Sequence, residues 1–176
     1  MSETLYGLVR DVQDFPKPGI LFRDITPILL DPKAMVETVN ALAKPLRPLG
    51  LSKVVAIESR GFILGAPVAM ALGVGLVIIR KPGKLPADVH RVEYDLEYGT
   101  DAIEVHRDAL GKSDRVAVLD DVLATGGTAE AASELVRRAG AAVAAFSFLI
   151  ELADLGGRGR LGTTPVHAVL RYPRNA

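Results

Sequence analysis

Short, unbroken apolar runs separated by helix-patterned stretches constrain this chain more than any other feature of its sequence. Lys53-Val54-Val55-Ala56-Ile57 is β-branched and apolar without polar alternation, and 75–79, 116–119, 142–150 and 166–170 read the same way. A strand with no polar face must be covered on both sides, as in a parallel sheet between two layers. Between the runs the pattern turns helical, over 61–72 before Gly73 and from about Thr128 to Ala139. Asp31-Pro32 offers an N-cap and a first-turn proline for a further helix to about Leu42. Strand, helix, strand predicts an α/β, doubly wound fold, and 176 residues are enough for one such domain.

Two regions stand outside that repeat. Leu5, Leu8, Val9 and Val12 fall on one helical stripe, which predicts a short amphipathic helix ended by Pro16, Pro18 and Gly19. Residues 20–24 then read as extended, leading into a turn at Thr26-Pro27. Residues 80–107 open with RKPGKLP and alternate through Val92-Glu93-Tyr94-Asp95-Leu96-Glu97-Tyr98-Gly99, which predicts an exposed hairpin or flap.

Lys+Arg and Asp+Glu both number 21, so no bulk cationic field is available to hold nucleic acid. Cysteine is absent, which removes thiolate metal centres and suits a reducing compartment. The first residues carry acids and no long apolar core, and no apolar run approaches the roughly 20 residues of a membrane span. The expectation is a soluble cytoplasmic protein.

Chemistry concentrates in Val116-Ala117-Val118-Leu119-Asp120-Asp121-Val122-Leu123-Ala124-Thr125-Gly126-Gly127-Thr128. Two acids close a buried strand, a Gly-rich turn follows, and a helix begins. Ligands of open α/β sheets bind beyond the carboxyl ends of the strands, and turn N–H groups beside a helix N-terminus cradle an anion. Thr125 and Thr128 add hydroxyl donors. The acids cannot hold phosphate themselves; they suit sugar hydroxyls or a magnesium ion. A phosphate beside a diol describes a ribose 5-phosphate. The segment is neither a Gly-Lys-Ser/Thr loop nor G-x-G-x-x-G, which argues against ATP hydrolysis and dinucleotide binding.

This segment resembles the signature that binds phosphoribosyl pyrophosphate (PRPP) in type I phosphoribosyltransferases. Pro18-Gly-Ile-Leu-Phe-Arg-Asp-Ile-Thr-Pro27, Ser59-Arg60-Gly61-Phe62, the Arg80–Pro86 run and Leu96-Glu97-Tyr98-Gly99 extend the resemblance to the adenine branch of that family. Ala124 stands where the hypoxanthine–guanine branch usually carries an aspartate that contacts purine N7, which argues against that branch.

The resemblance implies a mostly parallel sheet flanked by helices, with a small hood over about 1–30 and a flexible flap over about 80–107. It assigns Asp120 and Asp121 to the ribose diol, and Ala124, Thr125, Gly126, Gly127 and Thr128 to the 5-phosphate. Ser59, Arg60, Arg80, Lys81 and Lys84 go to pyrophosphate. Adenine lies between Phe22 and Val122, its edge read by the backbone around Leu21 and Arg23. Glu97 handles a proton at N7, Tyr98 covers the site, and Arg60 assists the departing pyrophosphate. Adenine, PRPP, AMP and pyrophosphate are the implied ligands, with Mg²⁺ held mainly by substrate oxygens and a homodimer as the assembly. A non-proline cis peptide is expected at Glu58-Ser59. A xanthine or other purine transferase, or a purine-responsive regulator without activity, would share the same phosphate loop. His90, His106 and His167 are scattered and read as packing or surface residues. Gly156-Gly157-Arg158-Gly159-Arg160 reads as a flexible surface turn near the mouth of the site.

Overall fold

The computed structural model describes residues 2–95 and 100–173. It opens with helix α1 (Ser2–Leu8), after which strand β1 (Arg10–Val12) pairs antiparallel with β2 (Phe22–Asp24). The expected helix through Val12 therefore stops at Leu8. The chain doubles back through Asp14 and Gly19, both at positive φ, and the Gly19 N–H donates to Asp14 Oδ1 at 2.7 Å. Backbone groups that a longer helix would have paired internally are paired across the ribbon instead.

Thr26-Pro27 is the start of a short helix, α2 (Thr26–Leu30), rather than a free turn. The Asp24 carboxylate accepts from the Thr26 N–H at 2.9 Å and the Thr26 hydroxyl at 2.7 Å, and a proline in the first turn lacks only an N–H that would have had no partner. Helix α3 (Pro32–Ala43) starts as expected, with Asp31 accepting from the N–H groups of Lys33 and Ala34 at 2.8 and 3.0 Å.

The apolar runs form the remaining framework: β3 (Lys53–Ile57), α4 (Arg60–Leu72), β4 (Gly75–Ile79), the hairpin β5 (Val89–Asp95) and β6 (Thr100–His106), β7 (Arg115–Leu123), α5 (Gly127–Arg138), β8 (Ala142–Leu152), the one-turn helix α6 (Gly157–Arg160) and β9 (Val166–Tyr172). Five strands make one sheet in the order β4-β3-β7-β8-β9, and every neighbouring pair is parallel. Val54, Val116, Ala117, Val118 and Leu119 are fully buried, as strands covered on both faces require.

One face packs beneath α3 and α4, with Ile28, Leu42, Leu64 and Leu149 in its core. Gly65 permits the approach of α4: a Cβ there would lie 2.6 Å from that of Ala56 on β3. The other face is covered by α5 and, unexpectedly, by the hairpin. Val92, Ile103 and Val105 are buried in the same core as Leu135 and Phe146. The predicted exposed excursion thus has a buried root, tied to the sheet edge by paired N–H···O bonds between Arg80 and Glu104 at 2.9 and 2.8 Å. The hairpin tip lies outside the described residues.

Candidate active site

The chain leaves β3 to place β4 on one side and later returns to place β7 on the other, so the carboxyl ends of β3 and β7 flank a topological switch point. Arg60 opens α4 directly after β3. Asp120 and Asp121 lie within β7, which continues to Leu123 rather than stopping at Leu119 as expected. Gly61 lets these segments meet, because a Cβ there would stand 2.9 Å from Asp120 Oδ1 and 3.1 Å from the Leu119 carbonyl oxygen.

Arg60 Nε donates to Asp121 Oδ2, and its guanidinium lies 5.5 Å from the Phe22 ring centroid. Phe22 in turn packs edge-to-face on Phe15 at 5.1 Å. The fold therefore gathers three sequence-named residues, Phe22, Arg60 and Asp121, from segments about a hundred positions apart. Arg23 does something else with its side chain. It is buried, donates to Asp11 Oδ1 at 2.5 Å and stacks over Tyr172 at 4.2 Å, anchoring the β1–β2 ribbon; Leu21 beside it is half-buried.

The two aspartates differ. Asp120 is held well above the usual carboxylate range, first by burial and then by the neighbouring Asp121 charge, with Arg60 opposing. Its Oδ1 accepts the Asp121 N–H at 2.8 Å. Beyond them a cavity of about 80 Å³ is lined by 122–129 together with Asp120 and Phe148. Ala124, Thr125, Gly126, Gly127 and Thr128 all face it, and Val122 forms one wall. Gly126 takes φ 85° immediately before α5, the left-handed turn that lets the loop fold over the helix N-terminus. A larger cleft of about 410 Å³ between α3 and β9 contains no residue named from the sequence for substrate binding.

The cations expected to meet pyrophosphate already have partners. Glu58, the last residue before Ser59, accepts from Lys84 Nζ at 2.6 Å, the Lys81 N–H at 2.9 Å and Arg80 Nε at 3.3 Å. Burial would raise its pKa, yet Lys84, the Lys81 N–H and Arg80 together pull it down to about 2. Lys81 Nζ donates to Asp101 and, at 3.3 Å, to the Tyr94 hydroxyl, which also receives the Thr128 hydroxyl at 3.3 Å. The Glu58-Ser59 peptide is cis, as expected, and Ser59 is exposed at the start of α4. Glu97 and Tyr98 lie outside the described residues.

The phosphoribosyl transferase domain family matches residues 29–160. An adenine phosphoribosyltransferase of a Synechococcus species is 54% identical over 168 residues, covering 96% of this chain and 98% of its own. Among solved structures, the adenine phosphoribosyltransferase of Thermoanaerobacter pseudethanolicus superposes with a TM-score of 0.95 at 45% identity, covering 98% of this chain and all of that one. The Saccharomyces cerevisiae enzyme, solved with adenine and an imino-altritol bisphosphate, gives 0.91 at 37% identity, with 96% and 98% covered. This chain belongs to the adenine phosphoribosyltransferase family.

Glu58, Tyr94 and Asp101, which no motif of the sequence singles out for this task, organise the cations of the 80–84 loop. Only Glu58 carries a sequence signal, an acid at a strand end abutting Ser59-Arg60. The segment 156–160 lies at the surface at Gly156, Gly159 and Arg160, as expected, but Gly157 is buried against the 124–126 backbone and Arg158 is paired with the buried Glu151. His106 has a buried Nε2 without a partner, and His167 is lowered by burial and by Arg158; both stand away from the switch point.

Proposed function

We propose that the chain transfers the 5-phosphoribosyl group of PRPP to N9 of adenine, releasing AMP and pyrophosphate. The observation that carries this reading is the convergence of Phe22, Arg60 and Asp121 beside the loop cavity at the β3/β7 switch point. In the proposed reaction, N9 attacks C1′ while the bond from C1′ to the pyrophosphate oxygen breaks. Positive charge on the ribosyl centre peaks where both bonds to C1′ are partial, and Glu97 takes the proton that the base gives up at N7.

Ala124, Thr125, Gly126, Gly127 and Thr128 hold the 5-phosphate through loop N–H groups and hydroxyls, and Asp120 and Asp121 accept from the ribose diol. Ser59, Arg60, Arg80, Lys81 and Lys84 receive the pyrophosphate. Phe22 and Val122 flank adenine, whose amino donor and N1 acceptor match a backbone C=O and N–H near Leu21 and Arg23. Hypoxanthine reverses both groups, and buried mismatches of that kind discriminate far more strongly than a methylene does. Tyr98 and the flap, about 80–107, cover the site from one side, and the hood, about 1–30, from the other, within a single domain spanning 1–176.

Mg²⁺ fits this site as a companion of the substrate. Asp120 and Asp121 offer hard carboxylate oxygens, while the described residues hold no cluster of three or more His, Cys, Asp or Glu able to cage a metal. When bound, the ion would neutralise charge on the leaving pyrophosphate. A homodimer is supported by exposed large apolar side chains that an interface would cover, Ile63 and Met70 seven residues apart on α4, at 46 and 82% exposure, and Leu76 on the edge strand β4, at 40%.

A purine panel with PRPP and Mg²⁺, read for nucleotide product, tests the reading. AMP from adenine, with little IMP, GMP or XMP from the other bases, is expected. Preferential XMP formation, or no pyrophosphate release with any base, would overturn it.

A further inference from the structure

The structure assigns Arg158 as a positioning residue: paired with Glu151, it fixes the α6 turn as a rigid back wall for the loop that receives the 5-phosphate. This inference rests on the phosphoribosyl reading of that loop and adds a second segment to it.

The α6 turn and the phosphate loop meet backbone to backbone. A Cβ on Gly157 would stand 2.2 Å from the Ala124 carbonyl oxygen and 2.9 Å from the Gly126 nitrogen; one on Gly126 would stand 2.7 Å from the Gly157 carbonyl oxygen. With no side chain between them, a shift of one segment is transmitted directly to the other.

A helix of four residues cannot hold its own place, since nucleating a single turn is unfavourable. Ion pairs hold it instead. Arg158 donates from Nε and NH2 to the two oxygens of Glu151 at 3.0 and 2.6 Å, and from NH1 to the Val166 carbonyl at 2.6 Å. Glu151 is only 2% exposed, so this fork lies at a buried anchor on β8. Two parallel bonds fix orientation as well as distance, which a lysine could not match. At the other end of the turn, Arg160 reaches Glu130 in the first turn of α5 at 2.5 Å, the helix that starts at Gly127. The turn is thus fastened to the strand before it and to the helix that follows the loop.

Loop N–H groups bind an anion well only if they are already aimed at it, because reorganisation subtracts from affinity. Loosening α6 would open space behind Ala124 and Gly126 and let those groups drift. The pyrophosphate cations have anchors of their own, Arg60 on Asp121, Arg80 and Lys84 on Glu58, and Lys81 on Asp101, none of which belongs to α6.

The test is equilibrium binding of AMP, ribose 5-phosphate and Mg²⁺-pyrophosphate to wild type, Arg158→Gln and Arg158→Lys, with steady-state kinetics and melting curves. Arg158→Gln should weaken AMP and ribose 5-phosphate by about tenfold to a hundredfold, because loop donors that must be re-aimed on binding subtract that cost from affinity. KM for PRPP should rise in step, with pyrophosphate affinity and kcat at saturation nearly unchanged. Arg158→Lys should recover part of the loss. If Arg158→Gln does not fold, Gly157→Ala, which presses on Ala124 and leaves the ion pair intact, should give the same split. Equal losses for all three ligands, or a lower melting temperature with unchanged AMP affinity, would overturn the inference. Failure of the wild type to bind AMP would overturn the phosphoribosyl reading beneath it.

Discussion

Replacing Glu58 by glutamine gives the best-determined perturbation in the site. A carboxylate accepts at both oxygens, whereas the amide accepts at one and turns N–H donors toward the Lys81 N–H or Lys84. Moving a glutamate from 4.5 to about 2 corresponds to about 3 kcal/mol of preferential interaction with the ionised form. Lys84 is 48% exposed and Arg80 32%, so solvent screens part of it, and a destabilisation of about 1.5–3 kcal/mol is expected for Glu58→Gln. The sign follows from a depressed carboxylate pKa. The contribution is whole above the unfolded value and is lost as pH falls toward about 2. Near pH 3.5 about two-fifths of it is already gone. Urea unfolding of wild type and Glu58→Gln near pH 7 and near pH 3.5 measures the gap directly, since the other acids cancel in the difference. A gap that does not narrow on acidification, or one below about 0.5 kcal/mol near pH 7, would refute this account of Glu58.

Three further outcomes are expected. Gly65→Ala sets a Cβ 2.6 Å from that of Ala56 and should cost about 1–3 kcal/mol, read as a lower urea midpoint with unchanged slope; a neutral result would mean that α4 does not press on β3. Asp120→Asn keeps the acceptor for the Asp121 N–H but removes a charge that burial and Asp121 disfavour. Because the native state resists ionising Asp120, stability is lost as pH rises above the unfolded carboxylate range; the variant should therefore melt higher than wild type near pH 7 while KM for PRPP rises. A lower melting temperature would contradict the assigned cause. Glu97→Ala should lower kcat by about 10²–10⁴-fold with little change in PRPP affinity, and near-normal turnover would remove Glu97 from the chemistry.

The framework was readable because its physics is local and repeated. Val54, Val55, Val116 and Val118 announce buried strands by themselves, and Asp31-Pro32 announces a helix start. Distant pairing leaves no such local mark. Nothing near Val9 or Val12 says that residues 22–24 will return to pair with 10–12 and break the helical stripe. The hairpin strands looked exposed because charged residues alternate with apolar ones. That same alternation is what lets Val92, Ile103 and Val105 turn inward onto α5. Glu58 lies 22 to 26 positions from its cations, Tyr94 lies 34 from Thr128, and Gly157 sits behind a loop some thirty positions earlier. Such relations are created by the fold, so one sequence carries their residues without their meeting.

The partners of the cations bear on how such a site releases product. Arg60, Arg80, Lys81 and Lys84 are matched by Asp121, Glu58, Asp101 and Glu58 again, four positive groups against three acids. An unmatched cluster would repel itself, loosen its loop and grip any polyanion, and a product of that kind would leave slowly. If these cations receive pyrophosphate as proposed, its oxygens must exchange with carboxylates already in place, so the net gain is the difference between two ion-pairing arrangements and not a full Coulomb term. Orientation is retained throughout, since Glu58 also fixes the loop backbone through the Lys81 N–H. Affinity for the leaving group can then stay moderate while its position stays defined, the combination required when binding energy is to appear in the transition state rather than in the product complex.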